Sequence, residues 1–301
     1  MTTAATPFRR ASLDPFAASV LTLLCLSWGL NQVAIKIANA GIQPVWQAGL
    51  RSAVGCALVV GWCRLRGVPL LARDGTLAAG IAVGVLFGVE FLLIYVALDY
   101  TTVSRGIVFL YVMPFVVAVG AHFLIPGERL TAVRVGGLVA AFVGVVVAFS
   151  DRLSLPSPQA LIGDVLFVAA AVAWGATALM IRTTRLNSAA PEKVLAYQLA
   201  LGAVIPLVVA PLFGPLWREP TWLVAAAFAY QTVAVVSASY LAWFWLIAHY
   251  PASQLSAFTF LTPLFAVALG GLLLSEPVSP YLVGSLALVA GGIYLVNRPK
   301  R

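Results

Sequence analysis

Residues 27–40 read SWGLNQVAIKIANA, and residues 173–182 read AWGATALMIR. Each stretch places a Trp-Gly step inside an apolar run, and the two tryptophans, Trp28 and Trp174, are 146 residues apart. Rare residues match at nearly the same offset further along the chain, namely Pro114 with Pro263 and Glu128 with Glu276. Such matches are typical of an internal duplication, so the sequence predicts two copies of one unit.

The composition excludes an ordinary soluble domain. Of the 301 residues, 62% are hydrophobic and only 9% are charged, which is far from the balance of a water-exposed globular protein. Apolar runs of about 18 to 25 residues recur, and each is long enough to cross roughly 30 Å of hydrocarbon as a helix. They predict ten transmembrane helices, here called spans 1 to 10, at residues 16–38, 45–62, 76–98, 103–124, 131–149, 161–181, 192–213, 221–248, 252–274 and 281–296.

Helices are favoured over a β-barrel because the runs lack the alternation of strands, and because a helix satisfies its backbone groups internally. Arg9 and Arg10 precede span 1 as in a signal peptide, but the run is long and lacks a clear small-residue cleavage site, so we expect a retained span. The three cysteines show no metal-ligand spacing and are interpreted as apolar fillers. We expect no metal and no other cofactor.

The net charge of +8 is interpreted as membrane topology and not as the mark of a nucleic-acid partner. If alternate loops lie on opposite sides of the bilayer, the side of the N-terminus holds 13 of the 18 Lys and Arg residues. By the positive-inside rule we expect both termini in the cytoplasm and a multi-pass protein of the plasma (inner) membrane.

Two consecutive halves of five spans must have opposite orientations, because an odd number of crossings ends on the other side of the bilayer. The sequence therefore predicts an all-α integral membrane protein of ten transmembrane helices, arranged as two inverted five-helix repeats at residues 1–155 and 156–301. Inverted repeats are the architecture of secondary transporters, which hold the substrate near the membrane midplane and work by alternating access.

The repeated pattern also resembles a known family. Met113-Pro114, Glu128-Arg129-Leu130, Gly136 and Gly144 return as Thr262-Pro263, Glu276, Gly284 and Gly292. This doubled pattern is similar to the module of the drug/metabolite transporter superfamily (EamA-type exporters), and within it the chain is most similar to bacterial aromatic amino acid exporters. The resemblance implies a central cavity lined by spans 1, 3, 4, 6, 8 and 9, with spans 5 and 10 peripheral. Small multidrug members use a first-helix Glu for proton exchange, whereas span 1 here contains no acid.

Polar residues deep in apolar spans are candidates for substrate contact, because they are costly in lipid. Glu90 of span 3 points away from a stripe of three glycines at residues 80, 84 and 88, which we expect to pack against a neighbouring helix. Glu90 either pairs with Arg51 of span 2 or faces the cavity, where it binds a substrate ammonium or takes up a proton. Asn31 and Gln32 have no counterpart in the second repeat, and they contact either substrate or another helix.

Aromatic and hydroxyl side chains form stripes on several spans. Tyr230, Ser237 and Tyr240 share one face of span 8 at α-helical spacing, while Tyr111 and Trp174 belong to stripes in spans 4 and 6. These residues suit an amino acid with a bulky apolar side chain, and helix packing or an interfacial belt is the alternative.

Two further pairs of residues occupy equivalent places in the repeats. Pro114 and Pro263 interrupt spans 4 and 9 near their middles and predict a kink, which serves either as a hinge or as a static bend. Glu128 and Glu276 precede spans 5 and 10, and we expect them to stabilise the first turns of those helices.

The expected function is export of aromatic or bulky neutral amino acids and related metabolites, by a monomer in the lipid bilayer. An exchanger of sugar phosphates or other metabolites with the same fold is an alternative. An anionic substrate would favour two or more buried cations in the cavity, and Lys36, Arg51 and Arg105 are the candidates for them. A channel is a further alternative, but the sequence contains no repeated filter sequence. A membrane enzyme is also disfavoured, since the two histidines and ten acidic residues form no catalytic cluster.

Overall fold

The computed structural model describes residues 10, 12–98, 100–101, 103–153, 157–219, 221–275 and 280–298. The predicted repeat boundary at residues 155 and 156 lies outside these residues, as does Glu276. Within the described part of the chain the prediction of an all-helical membrane protein with ten apolar helices is confirmed. Eight of the helices are long and apolar enough to cross a membrane, and two, spans 5 and 10, are shorter apolar helices.

The helices begin and end close to the predicted limits. Among the described residues, three connections contain a short 3-10 helix, at Ser150–Arg152, Arg185–Ser188 and Ala210–Phe213. The spans are Pro15–Asn39 (span 1), Pro44–Arg66 (2), Leu77–Leu98 (3), Val103–Leu110 with Met113–Leu124 (4), Ala132–Ala148 (5), Pro158–Thr183 (6), Pro191–Val209 (7), Trp222–Ala229, Tyr230–Ser239 and Tyr240–His249 (8), Ala252–Phe258 with Leu261–Leu274 (9), and Leu282–Asn297 (10).

Proline and capping residues fix where several spans start. Spans 1, 2, 6 and 7 each have proline in the first turn, where the missing N–H would have no helical partner. In three of them a side chain before the helix also accepts a hydrogen bond from a first-turn N–H: Asp14 in span 1, Gln43 in span 2 and Ser157 in span 6. Local sequence therefore accounts for these helix starts.

Spans 4 and 9 are interrupted next to their central prolines. Helix is lost at residues 111–112 and 259–260, and Pro114 and Pro263 lie in the first turn of the segment that follows each break. A proline cannot donate to the carbonyl four residues earlier, which belongs to Leu110 in span 4 and to Thr259 in span 9. The breaks therefore fall where this bond is missing.

Span 8 departs from α-helical geometry over its middle third. Residues Tyr230–Ser239 form a π-helix, in which backbone bonds run between residues five apart. The Ser237 hydroxyl follows the same spacing, because it donates to the Thr232 carbonyl at 2.8 Å. Each residue of this segment therefore turns the chain by less than the roughly 100° of an α-helix.

The packing of one half is repeated in the other. Span 5 packs along span 10 and span 2 along span 7, and these pairs join equivalent helices of the two repeats. The contact of span 1 with span 9 corresponds to that of span 6 with span 4. Close approach of spans 5 and 10 requires glycine, since a Cβ added to Gly292 would lie 2.4 Å from the Gly137 carbonyl oxygen.

The predicted glycine stripe of span 3 packs against span 7. A Cβ at Gly84 would lie 2.6 Å from the carbonyl oxygen of Tyr197, and Gly80 and Gly88 face Tyr197 and Ile205 in the same way. The prediction that this stripe contacts a neighbouring helix is confirmed. It leaves Glu90 on a different side of span 3.

Contacts between connections show which helix ends share a side of the molecule. Asp14 at the start of span 1 accepts a hydrogen bond from Tyr250 just after span 8, at 3.1 Å. The connection after span 1 meets the one before span 8 through a bridge between Ile42 and Trp217. Both contacts agree with alternate crossing of the membrane by successive spans.

Candidate functional site

A cavity of about 230 Å³ lies at the centre of the helix bundle. Within the described residues, spans 1, 3, 4, 6, 8 and 9 supply nearly all of its walls, and spans 5 and 10 supply none. Span 2 contributes Arg51 and span 7 contributes Gln198. The lining therefore follows the arrangement that the resemblance implied, with one polar residue added from each of two further spans.

One wall of the cavity is a cluster of aromatic rings around Trp28. The ring of Trp28 makes edge contacts with Trp243 at 5.4 Å and with Tyr240 at 6.4 Å between centroids, and Tyr240 contacts Phe87 at 6.3 Å. The indole N–H of Trp28 donates to the Ser239 hydroxyl at 2.8 Å. This bond satisfies the polar atom of the ring, so its apolar surface is left for the cavity.

A second aromatic wall joins the two halves. Tyr111 of span 4 is buried and contacts Trp174 of span 6 at 6.4 Å and Phe260 of span 9 at 5.9 Å between centroids. Tyr111 and Trp174 both line the cavity, as does Pro263. Of the predicted candidates, Asn31, Gln32, Glu90, Tyr111, Trp174 and Tyr240 are thus brought together around one cavity.

The charged part of the lining consists of Arg51 and Glu90, whose residues are 2% and 6% exposed. The Arg51 guanidinium carbon lies 4.4 Å from the centroid of the Phe91 ring. Of the two alternatives for Glu90, a direct ion pair with Arg51 is not formed among the described residues. Arg51 Nε and Glu90 Oε2 are buried with no hydrogen-bond partner there.

Amide side chains supply the neutral polar groups of the lining. Asn31 is buried, and its Oδ1 has no hydrogen-bond partner among the described residues. Gln32 is exposed and also borders the cavity. Gln198 is buried with its Nε2 unpartnered in the same part of the structure. These groups can offer hydrogen bonds to a bound polar molecule.

Tyr230 and Ser237 lie outside the described lining of the cavity, in contrast to the shared face predicted with Tyr240. The Tyr230 hydroxyl donates to the Ser27 carbonyl at 3.0 Å, and the Ser237 hydroxyl bonds within span 8. The prediction of a shared face rests on α-helical geometry, with a rotation of about 100° per residue. Residues 230–239 form a π-helix, in which the rotation per residue is smaller. The predicted alignment was therefore wrong for these two residues.

Glu128 contacts a different helix from the one expected. Its carboxylate accepts hydrogen bonds from the Ala252 N–H and the Ser253 N–H, both at 3.1 Å, and from the Ser253 hydroxyl at 2.8 Å. It thus caps span 9, which has no capping side chain at its own N-cap. Span 5 is capped by Thr131 instead. The expectation that Glu128 stabilises span 5 was wrong, and the matching expectation for Glu276 lies outside the described residues.

Arg182 ties the Glu128 contact to one end of the cavity. Its guanidinium donates to the carbonyls of Ile247 at 2.9 Å and Ala248 at 3.1 Å, and lies 3.8 Å from Glu128. Ile181 and Ile247 belong to the cavity lining. The ends of spans 6 and 8 and the start of span 9 are therefore joined at this end of the cavity.

Trp28, Arg51, Gln198 and Trp243 are among the lining residues that were not predicted to contact substrate. The sequence indicates Trp28 as a mark of the duplication, and Arg51 as a partner for Glu90 or as a cation for an anionic substrate. One signal was available for Gln198, because it stands 147 residues after Arg51 and so occupies the equivalent place in the second repeat. Among the described residues, no group of three His, Cys, Asp or Glu side chains is placed to hold a metal ion.

The EamA-like transporter family model matches the chain twice, at residues 15–150 and 161–298. The chain belongs to the EamA-like transporter family. Its two family domains correspond to the two predicted halves, and the chain is a membrane transporter and not an enzyme.

Relatives of this EamA-like transporter match most of its length. The uncharacterized transporter YoaV of Bacillus subtilis is 24% identical, over 90% of this chain and 92% of its own. A probable amino-acid metabolite efflux pump of Escherichia coli is 25% identical, over 91% of this chain and 92% of its own. A crystal structure matches with a TM-score of 0.80 at 22% identity, over 94% of this chain and 96% of that chain, which shows a common fold.

Proposed function

We propose that this EamA-like transporter exports amino acids with aromatic or bulky neutral side chains, and related metabolites, across the inner membrane by alternating access. The observation that carries the proposal is the charge of the cavity. Its described lining contains one basic and one acidic side chain, Arg51 and Glu90, between aromatic walls. One positive and one negative group match a zwitterion, and aromatic rings match an apolar side chain.

The same observation disfavours a sugar phosphate or another dianion. Two or more buried cations in the cavity would suit such a substrate, but the other two candidates have different positions. Arg105 pairs with Asp164 at the start of span 6, with Nε 3.3 Å from Oδ1. Lys36 is exposed and lies outside the described lining. The probable amino-acid metabolite efflux pumps among the relatives support the same choice.

Within the cavity we propose that Glu90 binds the substrate ammonium and that Asn31 and Gln32 supply hydrogen bonds. Tyr111, Trp174 and Tyr240 contact the apolar part of the substrate. All six residues border one cavity, which supports this assignment. Both halves and all of the described lining belong to one chain, which supports a monomer as the transporting unit.

The inverted arrangement of residues 1–155 and 156–301 is part of the proposal. Span 1 starts at the end of the molecule where its Asp14 meets Tyr250, whereas span 6 ends there, because Arg182 bonds to Ile247 and Ala248. Opposite directions of these equivalent helices support inversion. Alternating access then requires the halves to rock, with Pro114 and Pro263 as hinges and both termini in the cytoplasm.

The decisive experiment is uptake by inverted liposomes that contain the purified protein. Radiolabelled Phe, Trp, Met, Thr and a sugar phosphate are compared with and without a pH gradient. We expect uptake of Phe and Trp above that of the sugar phosphate. If none of the amino acids is transported, the substrate assignment is wrong. Equal uptake with and without the pH gradient would argue against proton coupling.

Glu90→Gln tests the ammonium site in the same assay. Loss of a charge-assisted hydrogen bond weakens binding by about 10- to 100-fold, so we expect Phe uptake at low concentration to fall at least tenfold. Asp151→Asn, which changes an exposed acid outside the cavity, is the matched control. Unchanged uptake by Glu90→Gln, with equal protein in the vesicles, would exclude Glu90 from the mechanism.

A further inference from the structure

We infer that Arg51 binds the carboxylate of the substrate and so fixes the direction in which an amino acid lies in the cavity. The inference rests on the proposed function and extends it, since Arg51 is the one basic side chain in the described lining. Arginine is suited to this task because its planar guanidinium can bind both oxygens of a carboxylate at once.

The burial of Arg51 is the first step of the argument. The residue is 2% exposed and lies in span 2 among apolar helices. A buried charge is retained at a large cost unless an opposite charge or hydrogen bonds compensate it. Arg51 makes no ion pair with the described residues, and its Nε has no hydrogen-bond partner there. The guanidinium therefore forms no direct ion pair in the described part of the protein, and its interaction with Glu90 acts over a longer distance.

The surroundings of Arg51 hold the group in place for an anion. The Phe91 ring covers the guanidinium at 4.4 Å, and such a contact leaves the N–H groups at the edge of the plane available. Glu90 and Arg51 both line the cavity and are close enough to interact electrostatically, so the acid and the cation border the same part of it. A zwitterion bound there places its carboxylate at Arg51 and its ammonium at Glu90.

The second repeat provides an internal comparison. Gln198 stands at the place equivalent to Arg51, is also buried, and also lines the cavity. Its amide N–H groups can donate hydrogen bonds, but it carries no charge. A twofold-related cavity with equal residues would accept a substrate in two directions. The difference between Arg51 and Gln198 therefore selects one of these two directions of the substrate.

Three probes separate the two ends of an amino acid. Phenylalanine has both charges, 3-phenylpropionate has only the carboxylate, and phenylalaninamide has only the ammonium. Their affinities are measured by calorimetry on the purified full chain and on Arg51→Gln, Arg51→Lys, Glu90→Gln and Lys36→Gln. Lys36→Gln is the matched control, because it removes a basic residue from outside the described lining.

For Arg51→Gln we expect the dissociation constants of phenylalanine and 3-phenylpropionate to rise about 10- to 100-fold, while that of phenylalaninamide changes less than threefold. Arg51→Lys keeps the charge and is expected to lose less than Arg51→Gln. Glu90→Gln should show the reverse, with phenylalaninamide weakened and 3-phenylpropionate unaffected. Lys36→Gln should bind all three probes as the wild type does.

Retained phenylalaninamide binding also proves that Arg51→Gln is folded. If the wild type binds the probes and Arg51→Gln binds 3-phenylpropionate equally well, the assignment of Arg51 is overturned and the proposed function stands. Equal weakening of all three probes would overturn it as well, because the effect would not follow the carboxylate. If the wild type binds neither phenylalanine nor 3-phenylpropionate, the proposed function fails and this inference fails with it.

Discussion

Glu128 links the connection between spans 4 and 5 in one half to the start of span 9 in the other. From the sequence it could be predicted only that an acid just before span 5 would act on span 5, because nearest neighbours in the chain are all that a single sequence provides. The carboxylate instead accepts three hydrogen bonds from Ala252 and Ser253. The choice between the two helices depends on tertiary packing, which no local pattern contains.

Glu128→Gln is therefore expected to destabilise the protein. The amide keeps the size of the side chain but loses the charge, and one of its two end groups donates and no longer accepts, so a buried N–H of span 9 is left unpaired. We expect a loss of about 3 kcal/mol, measured as a lower apparent melting temperature in detergent. Glu219→Gln, at an exposed acid, should change nothing. A melting temperature equal to that of the wild type would contradict the capping role.

Asp74, in the connection between spans 2 and 3, contacts the first turn of span 7. Its carboxylate accepts a hydrogen bond from Lys193 at 2.8 Å and two from Thr76. Burial opposes the charged form, but these hydrogen bonds prevail and lower the pKa of Asp74 from 3.8 to about 2. A carboxyl group whose pKa is lowered by folding stabilises the folded protein at pH values above its unfolded pKa. This stabilisation is lost as the pH falls from about 4 towards 2.

For Asp74→Asn we expect a lower melting temperature than the wild type at pH 7, and an equal difference at pH 5. Below pH 4 the difference should shrink, because the wild type then loses its own charge at this position. The side chain is 40% exposed, so the effect should be small and should decrease in high salt. A difference that grows on acidification would show that the sign of the shift is wrong.

Spans 5 and 10 show how far a helix contact could be predicted. Their peripheral position was expected from the family resemblance alone. Their packing against each other was not predicted. Spans 4 and 9 were better determined, because proline has a known local effect and the helix breaks lie next to Pro114 and Pro263. The π-helix of span 8 was invisible, since its residues differ little in type from those of an α-helix.

The contact of span 10 with span 5 offers a matched pair of substitutions on neighbouring residues. A Cβ at Gly292 would lie 2.4 Å from a carbonyl oxygen of span 5, whereas a Cβ at Gly291 meets nothing within 4 Å. We expect Gly292→Ala to cost about 1–3 kcal/mol, because a backbone must move to admit the methyl group. Gly291→Ala should be neutral or slightly stabilising. Thermal unfolding of both variants in one detergent would decide, and equal melting temperatures would contradict the close approach.

The architecture of the whole chain was predictable because it rests on composition and repetition, which survive divergence. The ten spans and the two halves follow from apolar length and from a few rare residues at one offset. The cavity lining was only partly predictable, because Arg51 and Gln198 belong to spans that were not expected to reach it. Their positions depend on the packing of spans 2 and 7 against each other.

Membrane orientation is the prediction that belongs to the whole chain. The native cysteines are replaced by alanine, and single cysteines are introduced as Arg73→Cys and Glu219→Cys, both at exposed positions in connections. If both termini are cytoplasmic, a membrane-impermeant maleimide added to intact cells should label Glu219→Cys and leave Arg73→Cys unlabelled. The opposite pattern of labelling would reverse the orientation.

The pairing of equivalent helices, span 5 with span 10 and span 2 with span 7, has the form of a subunit interface in a symmetric dimer. In such an interface the two subunits contribute the same surface patch, so each contact occurs twice. Two separate five-helix chains joined in this way would form a homodimer, whose two copies of every site are identical. Fusion into one chain removes that restriction, and so allows Arg51 on one side of the cavity to face a different residue, Gln198, on the other.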